Sequence, residues 1–136
     1  MTRSLMVAFF AVALSCLSLT ASASADPNTA PGDQPCNFTL STPHVVQVSG
    51  TDMVSVTMAP AACDGGTPYQ SIACIQVQGS PGPGRCTQNN GPLMARVYYS
   101  PYQPGTTYVA TGKGCASKGN PPQPFCAPTG PLTATL

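Results

Sequence analysis

From residue 36 onward, apolar and polar residues alternate in short runs of period two, broken by clusters of Gly, Pro, Asn and Ser. Within residues 44–48, Val46 and Val48 share a face. Residues 53–58 alternate more clearly, with Val54, Val56 and Met58 on one side and Ser55 and Thr57 on the other. Residues 72–78 set Ala73, Ile75 and Val77 inward against Cys74, Gln76 and Gln78. Leu93, Ala95, Val97 and Tyr99 then form an apolar face opposite Met94, Arg96 and Tyr98. Tyr108 and Ala110 share a face in the next run, and Leu132, Ala134 and Leu136 in the last. This period is the signal of half-buried antiparallel strands. Turn-rich segments lie between them at 61–67, 79–84, 89–91, 100–105 and 117–124. The pattern predicts an all-β fold, an antiparallel β-sandwich of about seven short strands rather than a barrel. No internal repeat of fixed period is visible.

Before residue 36 the pattern changes. Arg3 precedes an apolar run over residues 5–19, broken only by Ser15, Cys16 and Ser18, and Ala23-Ser24-Ala25 supplies small residues after it. Residues 1–25 therefore read as a secretory signal peptide cut between Ala25 and Asp26. The run is shorter than the roughly 20 apolar residues of a membrane span. An alternative is that Val12-Ala13-Leu14-Ser15-Cys16 resembles a bacterial lipobox, which would lipidate Cys16. Residues 26–35 read as a flexible leader with three prolines and no periodicity, leaving 36–136 as one disulfide-stabilised domain.

Composition narrows the class. In the chain after Ala25, Arg85, Arg96, Lys113 and Lys118 balance Asp26, Asp33, Asp52 and Asp64, with no glutamate. A balanced, sparsely charged chain has no electrostatic footprint for nucleic acid or an anionic membrane. Low charge also argues against disorder. Gly and Pro are abundant and Thr, Val and Tyr replace strong helix formers, which favours strands and tight turns. The expected location is secreted or extracytoplasmic, and the expected state a monomer.

Tyr102-Gln103-Pro104-Gly105-Thr106-Thr107-Tyr108 resembles the L-x-P-G-T-x-Y segment of fibronectin type III domains, with Tyr in place of the leading Leu. The resemblance implies an immunoglobulin-like sandwich in which the Tyr108 hydroxyl bonds back to nearby backbone as a tyrosine corner. Residues 130–136 likewise resemble that family's closing strand. The stretch from Cys74 to Cys86, with Cys115 and Cys126 near the C-terminus, resembles the disulfide-closed hairpins of neocarzinostatin-type sandwiches, which carry a chromophore. The sequence departs from the fibronectin pattern in having no tryptophan and many cysteines.

Apart from Cys16, the chain holds Cys36, Cys63, Cys74, Cys86, Cys115 and Cys126. An exported chain with an even number of cysteines reads as a disulfide framework, and six allow fifteen connectivities that sequence alone does not separate. The sandwich reading narrows them. Cys74 and Cys86 flank a turn almost symmetrically, and Cys115 and Cys126 bracket Gly119-Asn120-Pro121-Pro122. Cys36, at the start of the first strand, is left for Cys63. Structural zinc sites usually pair cysteines two to four residues apart. Here ten residues separate the closest pair and His44 stands alone, so no metal or other cofactor is expected.

His44 is the one side chain suited to general-base chemistry near neutral pH. Asp52 or Asp64 as orienting group and Ser41, Ser49 or Ser55 as nucleophile would complete a small secreted hydrolase, but no catalytic signature accompanies them. Asn37-Phe38-Thr39 fits the N-glycosylation sequon. Loop aromatics are the stronger lead. Tyr69 in the loop after the second sandwich strand (B–C), and Lys118 and Phe125 in the F–G loop, are expected at one end of the sandwich, a common place for recognition. The sequence thus leads to a non-enzymatic binding domain for a protein, glycan or small molecule. The alternatives are a carrier with an apolar cleft and the His44 hydrolase.

Overall fold

A computed structural model describes residues 34–136. The expected signal peptide, its expected cleavage between Ala25 and Asp26, Cys16 and the expected leader as far as residue 33 lie outside the described residues. The alternating runs form eight strands: β1 (Cys36–Leu40), β2 (His44–Val48), β3 (Thr51–Cys63), β4 (Thr67–Val77), β5 (Arg85–Asn90), β6 (Ala95–Tyr99), β7 (Thr107–Lys118) and β8 (Gln123–Thr135). All pairings are antiparallel. One sheet holds β1, β2, β3 and β6, the other runs β5-β4-β7-β8, and the two pack face to face.

β1 and β2 lie end to end along one side of β3. β1 shares Met58 as a β3 partner with β6, and β2 shares Val54 and Ser55 with it, so both occupy the side away from β6. Pro43 lies in the break between them, where Ser41 takes over the ladder: its N–H donates to Thr57 O at 2.9 Å and its Oγ accepts from Thr57 N–H at 2.9 Å.

The core is drawn from the predicted faces, Tyr108 and Ala110 included, while Val46 and Val48 are only half-buried. Val54, Val56 and Met58 of β3 and Ala95 and Val97 of β6 meet Ala73 and Ile75 of β4 and Tyr108 and Ala110 of β7. In a chain without tryptophan, Tyr108 is the largest fully buried side chain among the described residues. Its hydroxyl accepts a hydrogen bond from Gln103 N–H at 3.0 Å, which makes burial of the polar atom tolerable. Tyr99 meets its ring edge-on at 5.6 Å, and the Arg85 guanidinium lies 5.3 Å over Tyr99.

Leu93 departs from the expected apolar face. It sits before β6 and is 61% exposed, because the ladder with β3 begins only at Ala95. Three turn-rich segments are also shorter than expected. β3 runs through Cys63, β7 through Lys118, and Asn89 and Asn90 belong to β5. Each of these extensions lies beside a disulfide or a paired neighbour. Cys36–Cys63, Cys74–Cys86 and Cys115–Cys126 all join residues directly opposite in the register. Cross-links at those places hold strand ends that hydrophobic patterning alone leaves undetermined. Pro35, expected in the leader, is fully buried, and its carbonyl accepts from Asp64 N–H at 2.9 Å.

Candidate recognition end and edge groove

Two tight turns build one end of the sandwich. Residues 64–66 join β3 to β4 across the sheets, and residues 119–122 join β7 to β8. Gly65 and Gly119 adopt φ of 65° and 97°, a conformation that L side chains rarely take, which lets both turns stay short. A Cβ on Gly65 would stand 3.4 Å from Lys118 Cε, so the Lys118 side chain lies over the first turn and the turns are neighbours. Gly66 packs directly on Pro35, leaving no room for a side chain.

Lys118 and Phe125 come together at this end. Gly112, Gly114 and Ala116 alternate on the face of β7 that looks toward the other sheet, since Cβ atoms at the two glycines would run into Leu40, Met58 and Phe38. Lys118 continues that face. Because Lys118 pairs with Gln123 and Ala116 with Phe125, Lys118 and Phe125 are diagonal neighbours on the same side. Phe125 remains 41% exposed.

Tyr69 is not part of that pair. It lies within β4 rather than in a loop, at the irregularity between Pro68 and Gln70. Its hydroxyl is 3.4 Å from Cys126 Sγ, and since a disulfide sulfur carries no hydrogen, the tyrosine donates. Cys126 alternates with Phe125 and so faces outward. Phe125 likewise sits in β8 rather than in a loop. The expected trio therefore resolves into Lys118 and Phe125 on one face and Tyr69, covering a disulfide, on the other.

Along the same face of β8, Ala127 and Thr129 follow Phe125. With Pro128 they form one wall of a depression of about 420 Å³ whose other wall is Gln34, Asn37 and Phe38. It opens where the edges of the two sheets, β1 and β8, face each other. The lining combines two carboxamides and a threonine with Phe38, Ala127 and Pro128, and among the described residues none of the lining side chains is charged. Carboxamides offer both donors and acceptors. Sequence reasoning singled out Asn37 only as a glycosylation sequon. The groove itself escapes a reading along the chain, because the first and last strands form it.

The hydrolase constellation is only partly assembled. His44 and Ser55 stand opposite each other between β2 and β3, on a face shared with Tyr98. The His44 Nδ1–H donates to Thr42 O at 3.0 Å. Ser55, however, is buried, and Ser41 Oγ is engaged by Thr57. Asp52 falls on the other side of β3 by alternation, and Asp64 lies about 30 Å along the strand from Ser55 at 3.3 Å per residue.

Among the described residues no three His, Cys, Asp or Glu side chains cluster as metal ligands, and no helix is long and apolar enough to cross a membrane. No protein-family model, curated protein or solved structure matches the chain.

Proposed function

We propose that this chain is a small exported binding domain, without catalytic chemistry, that holds an uncharged, hydroxyl-rich ligand of the glycan class in the β1–β8 groove beside Lys118 and Phe125. The observation that carries this reading is the groove's lining. Gln34, Asn37 and Thr129 can match hydroxyl groups that both donate and accept, and Phe38 offers an apolar surface. Phe125 extends the apolar surface beyond the groove, as exposed aromatics do at recognition sites. This mixed lining suits a glycan better than it suits the apolar cargo of a carrier.

Export is supported by the N-terminal pattern and by three disulfides, which belong to an oxidising compartment. The two-sheet sandwich and the Tyr108 hydrogen bond support a fibronectin type III-like relationship. The test is binding of the mature protein to immobilised neutral oligosaccharides of hexoses and N-acetylhexosamines. Binding that falls at least tenfold in Phe125→Ser and Asn37→Ala, both solvent-exposed changes, is the expected result. Absence of binding across the panel, or binding indifferent to both substitutions, overturns the reading.

A further inference from the structure

Four strand edges flank the two sheets, and three are blunted. β8 carries Pro124, Pro128 and Pro131. β1 and β2 are short pieces interrupted at Pro43. β5 follows Pro83 and exposes Gln88 and Asn90. Prolines, breaks and polar residues of this kind are the usual protection against strand addition. β6 is different. It contains no proline, and Leu93 (61% exposed), Met94 (49%) and Tyr98 (39%) lie on it or just before it. These are three of the five exposed large hydrophobic residues among the described residues.

The direction of the β6 main-chain groups follows from β3. Thr57 exchanges its N–H and C=O with Ser41, so its polar groups face β1 and β2. By alternation those of Val54, Val56 and Met58 face β6, where their partners are Tyr99, Val97 and Ala95. The N–H and C=O groups of Arg96 and Tyr98 therefore point away from β3, at an edge that no described strand pairs.

We infer that this edge pairs with the β6 edge of a second copy of the chain, antiparallel about a two-fold axis at Val97. The register is self-complementary. Arg96 and the second copy's Tyr98 exchange both main-chain hydrogen bonds, and the axis repeats the exchange. Their side chains then stand directly opposite on the outer face, a guanidinium beside an aromatic ring. An axis at Arg96 instead sets two arginines against each other. An axis at Tyr98 sets Arg96 against Ser100, beyond the end of β6. Leu93 and Met94 lie beside the second copy's Pro101 and Ser100, which covers apolar surface that a single copy leaves in water. The result is a homodimer with one continuous sheet across the interface, and the groove between β1 and β8 stays free at the opposite edge.

Sedimentation equilibrium of the mature, disulfide-intact protein tests this. The weight-average mass rises toward twice the single-chain value between micromolar and millimolar concentration, and amide exchange at Arg96 and Tyr98 slows with it. Tyr98→Lys, which sets like charges opposite Arg96, keeps the mass at one chain, and Arg96→Glu combined with Tyr98→Lys restores association. A wild-type mass of one chain throughout, or undiminished association of Tyr98→Lys, overturns the inference, as does failure of the double variant to associate. Should a variant not fold, the wild-type exchange at Arg96 and Tyr98 decides: rates independent of concentration contradict the pairing.

Discussion

Gly114 works by lacking a side chain. A Cβ there would enter the ring of Phe38, which reaches across from β1 in the opposite sheet. Gly114→Ala is expected to cost about 2 kcal/mol by overpacking, read in chemical denaturation, and the loss should shrink in a Phe38→Ala background. Tyr108 works by an atom it has. Tyr108→Phe leaves Gln103 N–H without its partner and is expected to lose about 1–2 kcal/mol while the core ring stays in place. Ser71 is the reverse case, because its buried Oγ has no hydrogen-bond partner. Ser71→Ala is expected to raise the thermal midpoint by several degrees, corresponding to about 1 kcal/mol. These three differ in how far the sequence reveals them. The Tyr108 hydrogen bond was expected only through the resemblance of residues 102–108 to the fibronectin type III segment, and the hydroxyl does bond to Gln103 N–H. Gly114 was not legible, since a glycine that admits a ring from another sheet looks like any turn glycine until the facing strand is known.

At the scale of elements, strands whose alternation reflects a buried face were legible, and strands held by other means were not. Met53 to Met58 and residues 72–77 mark β3 and β4 because every second side chain enters the core. The ends of β3, β7 and β8 carry Ala, Pro, Gly and Ser instead, and there the disulfides fix the pairing. Opening Cys115–Cys126 with paired Ala substitutions is expected to cost about 3 kcal/mol in the chain-entropy account. The loss should concentrate in faster amide exchange at 114–118 and 123–127, with β3 and β4 less affected. The Cys74–Cys86 pairing implied a hairpin partner for β4, but the extension of β5 through Asn89 and Asn90 was read as a turn, because Gln88, Asn89 and Asn90 have little strand preference and β4 and the bridge hold them. β8 shows why proline need not end a strand. Pro124 and Pro128 fall on alternate positions whose nitrogen faces the open edge, so no ladder bond to β7 is lost. Pro124→Thr with Pro128→Thr is expected to change stability little and to add concentration-dependent aggregation, measured by light scattering.

For the whole molecule, the two sheets do more than enclose a core. They bring Gln34 and Asn37, near the start of the domain, against Ala127, Pro128 and Thr129 near its end. They also separate residues that sequence reasoning had grouped. Tyr69 parts from Lys118 and Phe125 because the irregularity at Pro68–Gln70 turns it toward the Cys126 sulfur. Sequence alone grouped cysteines and aromatics around residues 63–69 and 115–126, and the turns at 64–66 and 119–122 do meet at one end of the sandwich. It missed the groove, because facing edges of different sheets leave no periodicity along the chain. The most direct test of binding at this groove is an NMR titration of the mature protein with neutral oligosaccharides. Saturable shifts are expected at the Gln34 and Asn37 carboxamides, Phe38, Phe125 and residues 127–129, with His44 and Tyr98 on the β2–β3–β6 face unmoved. Shifts centred on the His44–Ser55–Tyr98 face, or none at millimolar ligand, would contradict it.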